Sequence, residues 1–173
     1  MKISVEELLE SWYRRLRNSQ FAHYESAKSF ARIHYWLGIP SVLLSTLIGT
    51  SIFATLGESV ETNLRLAAGL VSVLAAGLTS LQTFLKLSEK SEKHRSAAAR
   101  YGSLRREIEE LLSLQSLNES SAASLREAID RLAEESPSIP NRDWSKAQKK
   151  LASNRSSFLV NKEIHKQDEN RTE

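Results

Sequence analysis

The chain has 173 residues and a formal net charge of +3, from 24 Lys or Arg and 21 Asp or Glu residues. It contains no cysteine, which excludes disulfides, a thiol nucleophile and cysteine-based metal sites and fits a reducing compartment. The length is that of one domain, and the few glycines and prolines, six and three, suit a nearly all-helical protein.

The first segment, residues 1–34, is predicted to be an amphipathic cytoplasmic helix. Ser4 and Glu7 form an S-x-x-E capping box, which is typical of a helix start. Its apolar side carries Leu8, Leu9, Trp12 and Leu16. The segment has no apolar core and no cleavage site of a secretory signal, so we expect it to remain in the mature protein and to continue directly into the next segment.

Two long uncharged runs follow and organise the chain. Neither Ile33–Gly57 nor Leu66–Phe84 contains Lys, Arg, Asp or Glu. Each run has about twenty residues, enough at ~1.5 Å per residue to cross a ~30 Å hydrocarbon layer. We predict transmembrane helices at 35–57 and 66–86, joined by an external loop at 58–65. A helical hairpin buried in a soluble bundle is the alternative, although a soluble helix would normally keep a charged stripe.

Small and hydroxyl-bearing residues recur along one face of each run. Such stripes allow helix backbones to approach closely within a bilayer. They could serve packing between the two spans, or they could turn toward a water-filled centre in an oligomer, and the sequence leaves both open. The candidate pore-lining or span-packing residues are Ser41, Ser45, Gly49, Ser72, Ala76, Thr79, Ser80 and Thr83.

The charges that flank the runs predict their orientation. Lys and Arg are frequent before the first run and after the second, whereas the short loop has only Arg65. Since cytoplasmic flanks are enriched in Lys and Arg, both termini should be cytoplasmic. Tyr35, Trp36, Arg65 and Lys86 are the predicted interfacial anchors.

Beyond the second run, residues 87–160 are predicted to be a cytoplasmic helical region. Since no glycine or proline occurs before Gly102, the second span should continue as one rod. Its seam has heptad spacing and comprises Ala97, Tyr101, Leu104, Ile108 and Leu111. After a turn at Asn118, a second helix should direct Ala122, Leu125, Ile129 and Leu132 inward. Residues 136–140 form a proline-rich break before a last helix, and the tail 161–173 is expected to be disordered.

No catalytic pattern is recognisable, so we do not expect an enzyme. The chain has no phosphate-binding glycine loop, and its hydroxyl residues lack a paired acid or base in a recognisable arrangement. The four histidines are scattered without metal-ligand spacing: His23, His34, His94 and His165. We therefore expect no metal, no cofactor and no nucleic-acid partner.

Two short motifs after the hairpin carry a resemblance to a known family. These are ARYGSLRREIE at residues 99–109 and PSIPNRDW at residues 137–144. In this order after two adjacent spans, they resemble the SLATT domain, the "SMODS and SLOG-associating two-transmembrane effector domain". The resemblance covers roughly residues 8–151. It implies that the cytoplasmic helices are held together at Tyr101, Gly102, Leu104, Ile108, Pro137, Pro140 and Trp144.

The resemblance also implies a function, in a bacterial or archaeal inner membrane. The fold class is then an all-α membrane protein, a two-helix transmembrane hairpin with N-terminal and C-terminal cytoplasmic helices, in an oligomer. The implied role is a pore-forming effector of an anti-phage conflict system, which permeabilises the membrane on a signal. The signal would be a nucleotide second messenger, or a partner protein that makes or senses nucleotides. The chain carries no sensor or synthase domain of its own.

Two further readings stay open from the residues alone. One is a membrane-anchored helical scaffold that recruits a cytoplasmic partner without conducting. The other is a soluble four- or five-helix bundle.

Overall fold

The fold consists of helices throughout the described chain. The structure, a computed structural model, describes residues 4–54, 61–114 and 119–153, and no strand occurs among them. The helices are α1 (Val5–Ala54), α2 (Thr62–Leu85), α3 (Leu87–Ser113), α4 (Glu119–Glu135) and α5, which covers residues 141–153. The all-helical prediction is therefore confirmed. The predicted turn at Asn118 and the predicted disordered tail lie outside the described residues.

Helix α1 joins the predicted amphipathic segment and first span without interruption. At its start, the Glu7 amide donates to Ser4 Oγ and the Ser4 amide donates to Glu7 Oε2, both at 3.1 Å. The reciprocal capping box is thus formed as predicted. Pro40 lies inside the helix, which continues to Ala54.

Helix α2 begins earlier than predicted. Its first residue is Thr62, inside the predicted loop 58–65, and the Glu61 carbonyl accepts hydrogen bonds from the amides of Leu64 and Arg65. The carboxylate of Glu61 is also favoured at a helix N-terminus, where the backbone amides carry partial positive charge.

The prediction of one rod past Leu85 is wrong. Lys86 adopts a left-handed conformation, with φ 47° and ψ 43°, and this ends α2 before α3 begins at Leu87. A left-handed residue interrupts the repeating helical hydrogen bonds, and glycine is the usual residue there because other residues have a Cβ clash. The sequence carried no such glycine, so the break left no local signal.

The chain divides into two compact units. Residues 1–27 and 93–173 belong to the first, here called the terminal unit, and residues 28–92 form the second, the hairpin unit. The terminal unit has a continuous apolar core supplied by α1, α3 and α4: Leu9, Leu16, Tyr101, Ile108, Leu125 and Leu132. The predicted seam of α3 and inward face of α4 supply four of these six residues.

The hairpin unit has the opposite distribution of apolar side chains. Among the described residues, two helices are long and apolar enough to cross a membrane, and only 6% of the most apolar stretch of each is buried. A core helix of a soluble bundle would be largely covered by its neighbours. The structure therefore disfavours the soluble-bundle alternative.

Candidate functional site

The two helices of the hairpin unit meet through a short hydrogen-bonded chain. Ser41 on α1 is buried, and its Oγ lies 2.6 Å from Thr79 Oγ1 on α2. The Thr79 hydroxyl donates to the Ala75 carbonyl at 3.0 Å, so its oxygen accepts the proton of Ser41. Ala75 is itself buried at this contact. Small residues thus hold the two backbones together, as the stripe pattern allows.

A second polar contact lies nearer the start of the first span. Gln82 Nε2 is 3.0 Å from His34 Nδ1, and the Gln82 amide group covers Gly38. A Cβ on Gly38 would come within 2.9 Å of Gln82 Nε2, so the Gln82 side chain would have to shift to accommodate one. The hairpin is thus joined by two polar contacts, which on α1 lie two turns apart.

In the other direction along α1, toward Gly49, the same face opens into a groove. Its volume is about 880 Å³. A Cβ on Gly49 would meet no atom within 4 Å, so Gly49 is not used for close packing within the described chain. The residues that line the groove are Ser45, Ile48, Gly49, Ser72, Ala75, Ala76, Thr79, Ser80, Thr83 and Phe84.

The groove brings together almost all the predicted pore-lining or span-packing residues. Seven of the eight line it, and the eighth, Ser41, lies in the contact between the helices. The two stripes of small and hydroxyl-bearing residues, one on each helix, thus form one surface.

Three hydroxyl groups in the groove donate to a carbonyl of their own helix. Ser72 donates to the Ala68 carbonyl at 2.8 Å, Thr79 to the Ala75 carbonyl at 3.0 Å, and Thr83 to the Thr79 carbonyl at 3.0 Å. This arrangement lets a hydroxyl lie in lipid at little cost. The oxygens of these three residues can each still accept a hydrogen bond.

The predicted interfacial anchors lie on the surface of the hairpin unit. The exposed fractions of Tyr35 and Trp36 are 62% and 75%. Arg65 and Lys86 are exposed as well, and Lys86 Nζ lies 4.0 Å from Glu89.

The motif residues of the terminal unit differ in burial. Tyr101 and Ile108 are buried, Leu104 packs against them, and Gly102 is covered by Gln20. Pro137 is half-buried, whereas Pro140 and Trp144 are exposed. The exposed fraction of Trp144 is 39%, so most of its surface is covered, and the packing role expected for Pro140 and Trp144 stays a prediction.

The last helix uses other residues to pack. Asp143 and Ala147 are its buried residues, and Lys150 donates to Glu25 Oε1 of α1 at 2.6 Å. Asp143 lies 3.8 Å from both Arg142 and Lys146. Asp143, Ala147 and Lys150 are spaced by four and three residues, so they lie on the same face of the helix. Trp144 is one position further along than Asp143 and therefore lies beside this face.

Sequence reasoning missed a pair of buried histidines in the terminal unit. His23 on α1 and His94 on α3 are joined between their Nδ1 atoms at 2.9 Å, so one ring donates and the other accepts. The ring of Tyr101 stacks on His23, with centroids 5.2 Å apart. No group of three or more metal-ligating side chains occurs within the described residues.

Burial keeps this pair neutral. Desolvation, and to a smaller extent electrostatic repulsion from His94, lower the pKa of His23 to about 4. Desolvation also lowers the pKa of His94, against the opposite effect of the Asp143 carboxylate. A hydrogen bond between two Nδ1 atoms requires that at least one ring be unprotonated.

A heptad register could have predicted that each histidine is buried, although not that the two are paired. On α1, Leu9, Leu16 and His23 are spaced by seven residues, and all three are buried. On α3, Leu87, His94, Tyr101 and Ile108 have the same spacing and are also buried. Extending each seam by one heptad would have placed both histidines inside.

Taken together, these features define a two-span, all-helical protein: an exposed apolar hairpin with one semi-polar groove, and a separate helical unit with its own core. Residues 5–163 match the SMODS and SLOG-associating 2TM effector domain family 4. The chain belongs to this family, and the resemblance to the SLATT domain is confirmed. No curated protein and no solved structure matches it significantly.

Proposed function

We propose that the chain is a pore-forming effector of a prokaryotic anti-phage system, which assembles with copies of itself and permeabilises the inner membrane on a signal. The family is one of effector domains that associate with SMODS and SLOG proteins, which supports a defence role. The observation that carries the pore is the groove, since it gathers the hydroxyl and small residues of both spans on one face.

The surfaces of the hairpin unit suit this assembly. Apolar side chains point outward over the rest of the unit, where lipid would solvate them: Val42, Leu43, Leu47, Leu66, Leu70, Val73 and Leu74. The groove is the part of the described span surface with the most hydroxyls, and closed rings of identical copies repeat any such face around one axis. In a ring the grooves would line a central path.

The chemistry of the groove favours cations. Ser72 and Thr83 donate their protons to backbone carbonyls, so that their oxygens can act as acceptors along the path. Rings of oxygen acceptors replace part of the hydration shell of a cation. The described residues that line the groove include no Lys or Arg. We therefore expect small cations to pass in preference to chloride.

The signal would reach the terminal unit on the cytoplasmic side. The excess of Lys and Arg on both flanks of the hairpin supports cytoplasmic termini. A nucleotide second messenger, or a partner that makes or senses nucleotides, is the proposed signal. It would shift the assembly between closed and open packings by binding one of them more tightly.

The experiment is ion flux from vesicles that contain the purified full-length chain, with Ser80→Phe as the test variant. Ser80 lies in the groove, so a phenyl ring there should obstruct the path and abolish flux. Leu74→Phe is the matched control, because Leu74 is on the exposed apolar face outside the groove, and it should conduct like the natural chain. Equal flux through both variants would contradict a path along the groove.

A membrane-anchored scaffold is the second candidate. The compact core of the terminal unit favours it, since such a unit could recruit a partner while the hairpin only tethers it. Replacing the hairpin with an unrelated two-span hairpin separates the two functions. A scaffold should keep protecting cells against phage, whereas a pore should lose protection.

A further inference from the structure

A second groove lies on the surface of α1 in the hairpin unit. Its volume is about 520 Å³, and Arg32, Tyr35, Trp36, Ile39 and Pro40 line it. Its walls are almost entirely apolar apart from the guanidinium group of Arg32. It is separate from the groove between the two helices, with which it shares no residue.

The position of this second groove coincides with the expected membrane surface. Arg32 is the last charged residue before the uncharged run that starts at Ile33. Trp36 is 75% exposed, and an indole ring with both apolar and polar parts is favoured at the level of lipid headgroups. Ile39 is exposed one turn deeper. The groove thus runs from a cation at the surface to apolar side chains below it.

We propose that this groove binds an anionic phospholipid, of the phosphatidylglycerol class. The phosphate oxygens accept hydrogen bonds from the Arg32 guanidinium group, which suits phosphate by charge and by shape. An acyl chain packs along Ile39 and the Pro40 ring. The positive charge of Arg32 selects this lipid over a zwitterionic lipid such as phosphatidylcholine, in which a choline cation already neutralises the charge of the phosphate.

Fluorescence quenching by brominated lipids in vesicles of the full-length chain tests the proposal. Subtracting the signal of Trp36→Phe isolates the emission of Trp36. At equal mole fractions, brominated phosphatidylglycerol should quench Trp36 more strongly than brominated phosphatidylcholine. Arg32→Gln should reduce this preference about fivefold, the equivalent of about 1 kcal/mol per cation at an anionic surface.

A further variant separates a built site from general surface charge. Arg95→Gln removes the same charge from an exposed position of α3 outside the groove, and the preference should remain.

Three results would overturn the proposal. The natural chain could be quenched equally by both lipids, or Arg32→Gln and Arg95→Gln could lower the preference equally. Protection of Trp36 from both brominated lipids would show that a second copy of the chain covers the groove. None of these results depends on ion flux, so the proposal of a lipid site can be disproved independently of the proposal of a pore.

Discussion

Apolar residues recur at helical spacing in both units, but they are buried in the terminal unit and exposed in the hairpin unit. In the terminal unit, Leu9 and Ile108 have exposed fractions of 1% and 0%. In the hairpin unit, Val73 and Phe84 have exposed fractions of 71% and 83%. The first pattern removes apolar surface from water, whereas the second leaves it available to lipid. The extent to which apolar side chains are buried within the chain therefore distinguishes a unit suited to water from a unit suited to lipid.

Hydrogen bonding differs between buried and exposed polar groups. The terminal unit buries a histidine pair, which is neutral and hydrogen-bonded across two helices. In the hairpin unit, Ser41 is likewise buried and bonded to the other helix, whereas exposed hydroxyls such as Thr46 and Thr83 donate to a carbonyl of their own helix. A group that faces lipid must satisfy its hydrogen bonds locally, while a buried group can use a tertiary partner.

The largest stability effect is expected from Ile108→Ala. Ile108 is fully buried in the core of the terminal unit, so the substitution leaves a cavity and should destabilise this unit by about 2–5 kcal/mol. The measurement is denaturant unfolding of the full chain in nanodiscs, followed by circular dichroism. Leu70→Ala, at an exposed position of α2, is the control and should have little effect on that transition. A comparable loss in both would remove the distinction between the units.

The next effect compares two exposed leucines in different solvents. Leu74 in the middle of α2 and Leu114 after α3 are exposed to a similar degree, 63% and 67%. Leu74→Lys should oppose membrane insertion by about 2.5–3.5 kcal/mol, because the ammonium group would lie in hydrocarbon. Leu114→Lys should be neutral, because water solvates it. The carbonate-resistant membrane fraction of each variant measures the difference, and equal fractions would contradict the membrane assignment of α2.

The terminal unit should also lose stability at acidic pH. The pKa of His23 is about 4 in the folded protein, against an ordinary value of 6.5. Above pH 6.5 the ring is neutral in both states, and the stability is complete. As the pH falls from about 6.5 to about 4, His23 binds a proton in the unfolded chain but not in the folded chain. Up to about 3 kcal/mol of the free energy of unfolding is then lost.

Unfolding midpoints in nanodiscs at pH 7.5, 5.5 and 4.5 test this dependence. His23→Gln cannot titrate, so its midpoint should fall less between these pH values than that of the natural chain. All other ionisable groups are common to both proteins, so their contributions cancel in the comparison. Parallel pH profiles would show that the histidine pair does not control the acid sensitivity.

Local signals in the sequence explain which parts of the fold could be predicted. The capping box at Ser4 and the seam through Tyr101 and Ile108 follow from short-range rules, and the structure has both. Lys86 could not be predicted, since a left-handed lysine carries no glycine signal. The histidine pair required knowledge of which turns of α1 and α3 are level with each other, and a residue list provides no such alignment.

The groove of the hairpin was predictable as a set of residues but not as a surface. The four-residue spacing selected Ser45, Gly49 and Ser72, yet the same spacing selected Ser41, which the structure places in the contact between helices. The spacing predicts only that residues lie on the same face of one helix. The point along that face at which the two helices meet depends on the hydrogen bonds of Ser41 and Gln82, and each of these bonds involves both helices.

The smallest expected effect comes from Ser41→Ala. The substitution removes the bond from Ser41 to Thr79 Oγ1 but keeps the small side chain, so α1 and α2 can still approach. Hydrogen bonds between membrane helices average about 0.6 kcal/mol, because the separated helices also find partners. The same value applies here, and reversible unfolding of the hairpin in mixed detergent micelles measures it. Thr46→Val is the control, since Thr46 bonds only the Val42 carbonyl of its own helix. A loss several times larger for Ser41→Ala would mean that this hydroxyl fixes the helix contact itself, and that the groove beyond it depends on one hydrogen bond.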